Sequence, residues 1–154
     1  MTIRRATNND ITVLEDFLQQ ILSVHHQARP DLFQKKGSKF TREELELLLK
    51  NDQRPVFVYE SEDGKILGHL FLIIQEAMEP QVSHKTLFID DLCVDETARG
   101  QKIGEQMYQF ALRYAREIGC YNLLLNVWND NKGALRFYER QGLHVQKTRM
   151  EKIL

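Results

Sequence analysis

The sequence predicts a single α/β (α+β) domain over residues 1–154, with a mixed, mostly antiparallel central sheet, helices on both faces, and the order β-α-α-β-β-β-α-β-α-β. Two β-rich runs, Val56 to Glu60 and Ile66 to Gln75, flank Glu62-Asp63-Gly64-Lys65. Asp-Gly is a strong hairpin signal and makes these runs antiparallel. Ile103, Met107, Phe110, Tyr114 and Ile118 then recur at helical spacing, with Glu105, Gln109, Arg113 and Arg116 on the other side. Tyr121 to Val127 is short, apolar and bounded by turn residues, which suits a strand buried on both faces and parallel to its neighbour after a crossover helix.

The remaining elements follow in chain order. A first strand precedes Thr7-x-x-Asp10, which has the form of a capping box; Ile11, Leu14, Leu18, Ile21 and His25 fall on one helical face behind it, reinforced by Phe17 and Leu22. Arg29-Pro30-Asp31 interrupts this helix, because proline lacks an N–H donor and restricts the residue before it. A second capping box, Thr41-x-x-Glu44, opens a helix carrying Leu45, Leu48 and Leu49. Thr86 to Val94 is the strand after the Pro80-containing connection, and Gly119 stops the long helix. Asn129-Asp130-Asn131 supplies N-cap chemistry for a helix with Ala134, Leu135, Phe137 and Tyr138; Gly142 ends it, and a last strand is predicted from about His144 to Lys152.

Composition narrows the function classes. Lys+Arg at 21 against Asp+Glu at 22 gives a formal charge of −1 without segregation, which argues against a nucleic-acid surface. The Lys35-Lys36 and Lys39 cluster reads as a solvated loop. No stretch approaches the ~20 apolar residues of a membrane span and the start lacks a signal core, so a cytoplasmic protein without a membrane partner is expected. Cys93 and Cys120 show neither metal spacing nor a disulfide framework; reduced structural thiols and no metal are expected.

The most informative segment runs from Leu92-Cys93-Val94 into Arg99-Gly100-Gln101-Lys102-Ile103-Gly104, a strand leading through a basic, glycine-containing turn into a helix. A helix start presents unpartnered N–H groups and the positive end of the peptide dipoles, and Arg99 and Lys102 add full charges, so the turn reads as a pyrophosphate site. It lacks the Gly-Lys-Ser/Thr ending of a P-loop and the glycine spacing of a dinucleotide fold. Together with Asn131, Ala134, Phe137, Tyr138 and Gly142, and with the element order, the segment resembles the GNAT acetyltransferase superfamily over nearly the whole chain. Lys102 departs from the family glycine, and its side chain narrows the backbone conformations allowed there.

The resemblance implies the following site. The strand holding Leu92, Cys93 and Val94 splays from the next strand, and its backbone binds the pantetheine arm of acetyl-CoA. Arg99, Gly100, Gln101, Lys102, Ile103, Gly104 and Glu105 take the pyrophosphate, with Asn131, Ala134, Phe137 and Tyr138 completing the cofactor side. Tyr138 matches the tyrosine that protonates the departing thiolate. Asn126 stands where some members place a basic glutamate and cannot accept a proton. Asp90 matches the first carboxylate of the acidic pair in polyamine acetyltransferases; it shares strand parity with Leu92 and Val94, whereas Asp91 points to the other face. Asp90 is thus a base, an anchor for a cationic amine, or a structural acceptor, and Glu76 is the reserve base. His25 and Phe33 lie on the segment shaping the acceptor pocket, where His25 also suits a helix C-terminus.

The sequence therefore points to an acetyl-CoA-dependent N-acetyltransferase in which a primary amine attacks the thioester directly, a small cationic amine or polyamine being the first choice of acceptor. A protein N-terminal or lysine amine is an alternative acceptor, and a non-catalytic acyl-CoA sensor or interaction module is the alternative class. Similar proteins are often homodimers, so the resemblance makes a homodimer an expectation as well.

Overall fold

The Asp63-Gly64 turn closes the central hairpin, with Gly64 at φ +81° and Ser61 N–H donating to the Lys65 carbonyl at 2.9 Å. The computed structural model, which describes residues 1–154, builds outward from this hairpin. Strands β1 (Thr2–Arg5), β2 (Val56–Glu60), β3 (Ile66–Glu76), β4 (Lys85–Val94) and β5 (Asn122–Leu125) form one sheet in the order β1-β2-β3-β4-β5. All neighbours are antiparallel except β4 and β5.

Helices cover both faces. Helices α1 (Ile11–Ala28) and α2 (Arg42–Leu48) bury Ile11, Leu14, Leu18, Leu45 and Leu48 against Val56, Val58 and Phe71. Helix α3 (Ile103–Glu117) packs Ile103, Met107, Tyr108, Ala111 and Ala115 against Phe57, Tyr59, Leu70, Leu72, Leu87 and Ile89 on the opposite face. These two sets are the alternating residues of the same strands, as period-two side-chain direction requires. At Gly68 a Cβ would lie 2.7 Å from the Cys93 carbonyl oxygen and 2.9 Å from Met107 Sδ, so only glycine lets α3 seat this closely on β3 and β4.

The first capping box forms, and the second is realised as the Thr41 N-cap alone. Thr7 N–H donates to Asp10 Oδ2 at 2.8 Å, capping a short 3-10 turn that leads into α1, and Glu44 N–H donates to Thr41 Oγ1 at 3.1 Å. Asp10, 5% exposed, also takes two hydrogen bonds from Arg4, at 2.9 and 3.0 Å. Burial alone would raise its pKa, but the Arg4 guanidinium and the Thr7 amide outweigh that and hold it below the ordinary carboxylate value.

The C-terminal third departs from the sequence reading. Strand β5 is shorter than Tyr121–Val127 and its residues are only half-buried, because no strand lies beyond it. Helix α4 (Lys132–Arg140) ends at Gly142, φ +95°, but His144 to Lys152 forms no strand. The last backbone hydrogen bond of the chain is from Leu143 N–H to the Tyr138 carbonyl at 3.1 Å. A segment becomes a strand only beside a partner, and within one chain this one meets none, with only Val145 and Thr148 as β-formers among its nine residues.

Candidate active site

The parallel pairing of β4 with β5 stops at Ile89 opposite Leu125, whereas β4 stays paired with β3 through Val94. From Asp90 to Val94 the side of β4 that would face β5 therefore carries an unpaired backbone edge. Leu92 and Val94 face α3, and Cys93 lies opposite His69 on the other face. Burial, with a smaller push from Asp91, raises the Cys93 thiol to about 12, which keeps it protonated at neutral pH.

Beyond this edge the chain turns into α3. The amides of seven consecutive residues, Arg99 through Glu105, donate to no group of the protein. Gly100 has φ +88° and Lys102 φ +59°, the one non-glycine residue of the chain in the left-handed region. A lysine there takes the conformation a glycine would adopt freely, at a cost of about 1 kcal/mol. Gly104 faces Val94 and Phe137, so the turn, the open edge of β4 and α4 meet at one place. This set of free donors, with Arg99 and Lys102 exposed beside it, fits the diphosphate of a CoA ester.

Tyr138 lies on α4 beside Tyr108 and Phe137, with ring centroids 6.1 and 5.1 Å away. Burial, then Asp91 and Tyr108, pushes its phenol up to about 12. Asn131 is the N-cap of α4, its Oδ1 accepting from Ala134 N–H at 3.1 Å, and Ala134 is half-buried one turn ahead of Tyr138.

The acidic pair differs from the parity expectation. The register of β3 against β4 shifts between Phe71 and Leu72, leaving Asp90 as the extra residue of a bulge. Such an insertion cancels alternation, and both carboxylates face the α1–α2 side. Asp90 Oδ2 takes Lys39 Nζ at 2.7 Å, with an Arg54 guanidinium nitrogen at 4.0 Å; both cations sit over Phe40, which stacks on Phe71. Lys39 is thus an ion-pair partner rather than part of a freely solvated loop. Asp91 instead accepts from Nε2 of fully buried His69 at 2.9 Å, and its charge acts on Tyr138, Cys93 and His25. The carboxylate whose charge acts on the phenol is therefore Asp91.

Glu76 does not join the site. It pairs in register with Lys85, whereas Asp91 lies opposite Phe71, five residues and about 17 Å along β3. His25 and Phe33 do come together, stacked at 4.9 Å, and Trp128 closes on both at 6.4 and 5.5 Å. Burial lowers the His25 pKa, Asp91 opposes this and Lys39 reinforces it. His69, Asp91 and Trp128 are thus site residues the sequence reading missed. Trp128 carried a signal, a large aromatic directly before the Asn129-Asp130-Asn131 turn; His69 carried none, since one histidine in an apolar strand looks like any core position.

No group of three or more His, Cys, Asp or Glu side chains is arranged to hold a metal ion, and no helix is long and apolar enough to cross a membrane. The model of the acetyltransferase (GNAT) family matches residues 18–143. The chain is 26% identical over 146 residues to an uncharacterized N-acetyltransferase of Lactobacillus delbrueckii subsp. lactis, covering 86% of this chain and 82% of that one. It is 28% identical over 115 residues to glucosamine 6-phosphate N-acetyltransferase of Arabidopsis thaliana, covering 74% of each. Among solved structures, a mutant of the BH1408 protein from Bacillus halodurans superposes with a TM-score of 0.94 at 28% identity, covering 100% of this chain and 99% of that one.

Proposed function

The chain belongs to the acetyltransferase (GNAT) family, and from that membership we propose that it transfers the acetyl group of acetyl-CoA to a primary amine by direct attack. The observation that carries this reading is the run of free amides from Arg99 to Glu105 beside the unpaired edge of β4 and Tyr138. Acetyl-CoA supplies the acetyl group as a thioester. Arg99 to Glu105 hold its diphosphate, and the edge at Leu92, Cys93 and Val94 hydrogen-bonds the pantetheine amides.

On the acceptor side, Asp91 receives the ammonium of the incoming amine and takes up its proton as the nitrogen becomes nucleophilic. His69 fixes that carboxylate, and the bulge brings Asp90 to the same face, where Lys39 and Arg54 already hold it. Asp90 is thereby better suited to shaping the pocket than to accepting a proton. Tyr138, a phenol held near 12, donates its hydrogen bond to the departing sulfur, whose thiol form titrates near ~8.5. The carboxylates of Asp90 and Asp91, with the rings of His25, Phe33 and Trp128, favour a small cationic amine as acceptor.

The direct test is thiol release from acetyl-CoA, followed with a disulfide reagent, across polyamines, aminoglycosides, amino sugars, aralkylamines and N-terminal peptides. Amine-dependent release with a cationic small amine fastest is the expected result. Binding of acetyl-CoA without release in any amine class would favour the sensor reading instead.

A further inference from the structure

One primary amine of the chain already stands among the residues assigned to the acceptor. Lys39 Nζ donates to Asp90 Oδ2 at 2.7 Å, and Lys39 is the one lysine of the chain whose amine pairs with a carboxylate. Asp90 is the first residue beyond the pairing of β4 with β5, so this amine lies at the start of the open edge. The next residue is Asp91, whose charge acts on Tyr138. The charge of Lys39 itself acts on His25, the ring stacked on Phe33 and closed over by Trp128.

The local fold holds the amine there. Between α1 and α2 the chain from Arg29 to Thr41 forms no helix or strand, and Phe40 anchors its end by stacking on Phe71 with ring centroids 6.0 Å apart. Phe71 pairs in register with Asp91, so this anchor sets Lys39 down over the two neighbouring carboxylates. Lys39 Nζ lies 5.5 Å from the centroid of the Phe40 ring. The Lys39 side chain is 48% exposed, which leaves its ammonium open to water. Lys35 and Lys36, on the same segment, are exposed and pair with no carboxylate.

We propose that Lys39 is an acetylation site that the chain modifies itself, its side-chain amine serving as an intramolecular acceptor when no free amine is bound; this rests on the activity proposed above. The ammonium first gives a proton to water. Nζ then attacks the carbonyl carbon of acetyl-CoA and forms the N–C bond, and the C–S bond breaks. The proton shed by the nitrogen balances the one the sulfur takes up, so CoA leaves as a thiol and Lys39 becomes an amide. The modification removes the charge of Lys39 and its ion pair, leaving Arg54, 4.0 Å away, as the remaining cation beside Asp90. The Asp90 carboxylate is thereby released to meet the ammonium of an incoming acceptor.

The test incubates the full chain with acetyl-CoA and no added amine. Peptide mass mapping should find an acetyl group on Lys39, gained at least about tenfold faster than on Lys35 or Lys36, because a held amine reacts at an effective concentration that free ones do not reach. The rate constant should stay the same over a roughly tenfold dilution of the protein, as an intramolecular step requires. Urea-unfolded chain should lose the preference for Lys39. Lys39→Arg keeps a cation beside Asp90 and offers no primary amine, so it should lose the gain in mass at residue 39 with unchanged far-UV circular dichroism. Thiol release with added amines, run on the same preparation, separates this proposal from the activity on which it rests. Release with an added amine but no acetyl group on Lys39 overturns the self-modification alone, and transfer in neither assay overturns both. Equal rates at Lys35, Lys36 and Lys39, or a rate constant that scales with protein concentration, also overturn it.

Discussion

Single side chains separate the two ends of the proposed reaction. Tyr138 is protonated throughout the physiological range because burial holds its phenol near 12, so ionisation of this residue imposes no falling limb on the rate up to about pH 10. The rate is expected to rise with pH as the acceptor amine loses its proton. Tyr138→Phe should lower kcat by roughly 10²-fold and leave the acetyl-CoA Kd nearly unchanged, since the ring still packs on Tyr108 and Phe137. Steady-state kinetics and binding on the same preparation check both halves. Asp91→Asn should reduce kcat/KM by about 10² or more, whereas Asp90→Asn should act mainly on the order of the Lys39 segment. Equal losses from the two would remove the distinction drawn between them. Tyr138 could be placed on α4 from the sequence because a motif fixes its position. The face of Asp91 could not be read there, because one inserted residue at the bulge reverses side-chain parity and leaves no mark in an apolar run.

At the level of elements, the caps and the hairpin were legible because each is local chemistry: Asp63-Gly64, Thr7 with Asp10 and Thr41 with Glu44 act within four residues. The predicted strand from His144 to Lys152 failed because strand formation depends on a neighbour that local pattern does not supply. Two expected outcomes belong here. Lys102→Gly relieves a left-handed lysine just before α3 and should stabilise the fold by up to about 1 kcal/mol, read as a higher urea midpoint at unchanged slope. The joint between β1 and α1 is sensitive to acid. Asp10 has its pKa lowered by folding, so the Arg4 pair contributes fully above the unfolded value near ~3.9 and is lost as pH falls through the lower folded value. Asp10→Asn should cost about 2 kcal/mol at neutral pH, and the gap between variant and parent should close at pH well below ~3.9. Denaturant titrations at the two pH values report it.

The whole molecule joins two cores through one sheet, α1 and α2 on one face and α3 on the other, with the open edge of β4 beside the turn into α3. The sequence conveyed this arrangement well, since element order and the turn into α3 sufficed to reach the family. What it could not convey lies between elements: which carboxylate has its charge act on the phenol, and that the last segment meets no strand of its own chain. Both depend on contacts between residues far apart in the chain. The central claim is that the amides of Arg99 to Glu105 grip a diphosphate and so align a thioester with Tyr138. Isothermal titration of the purified chain with acetyl-CoA tests it most directly, with acetyl-pantetheine, which lacks the diphosphate, as the comparison ligand. One saturable site per chain, weakened by salt and at least tenfold weaker for acetyl-pantetheine, is the expected result; no heat with acetyl-CoA, or equal affinity for both ligands, would contradict it.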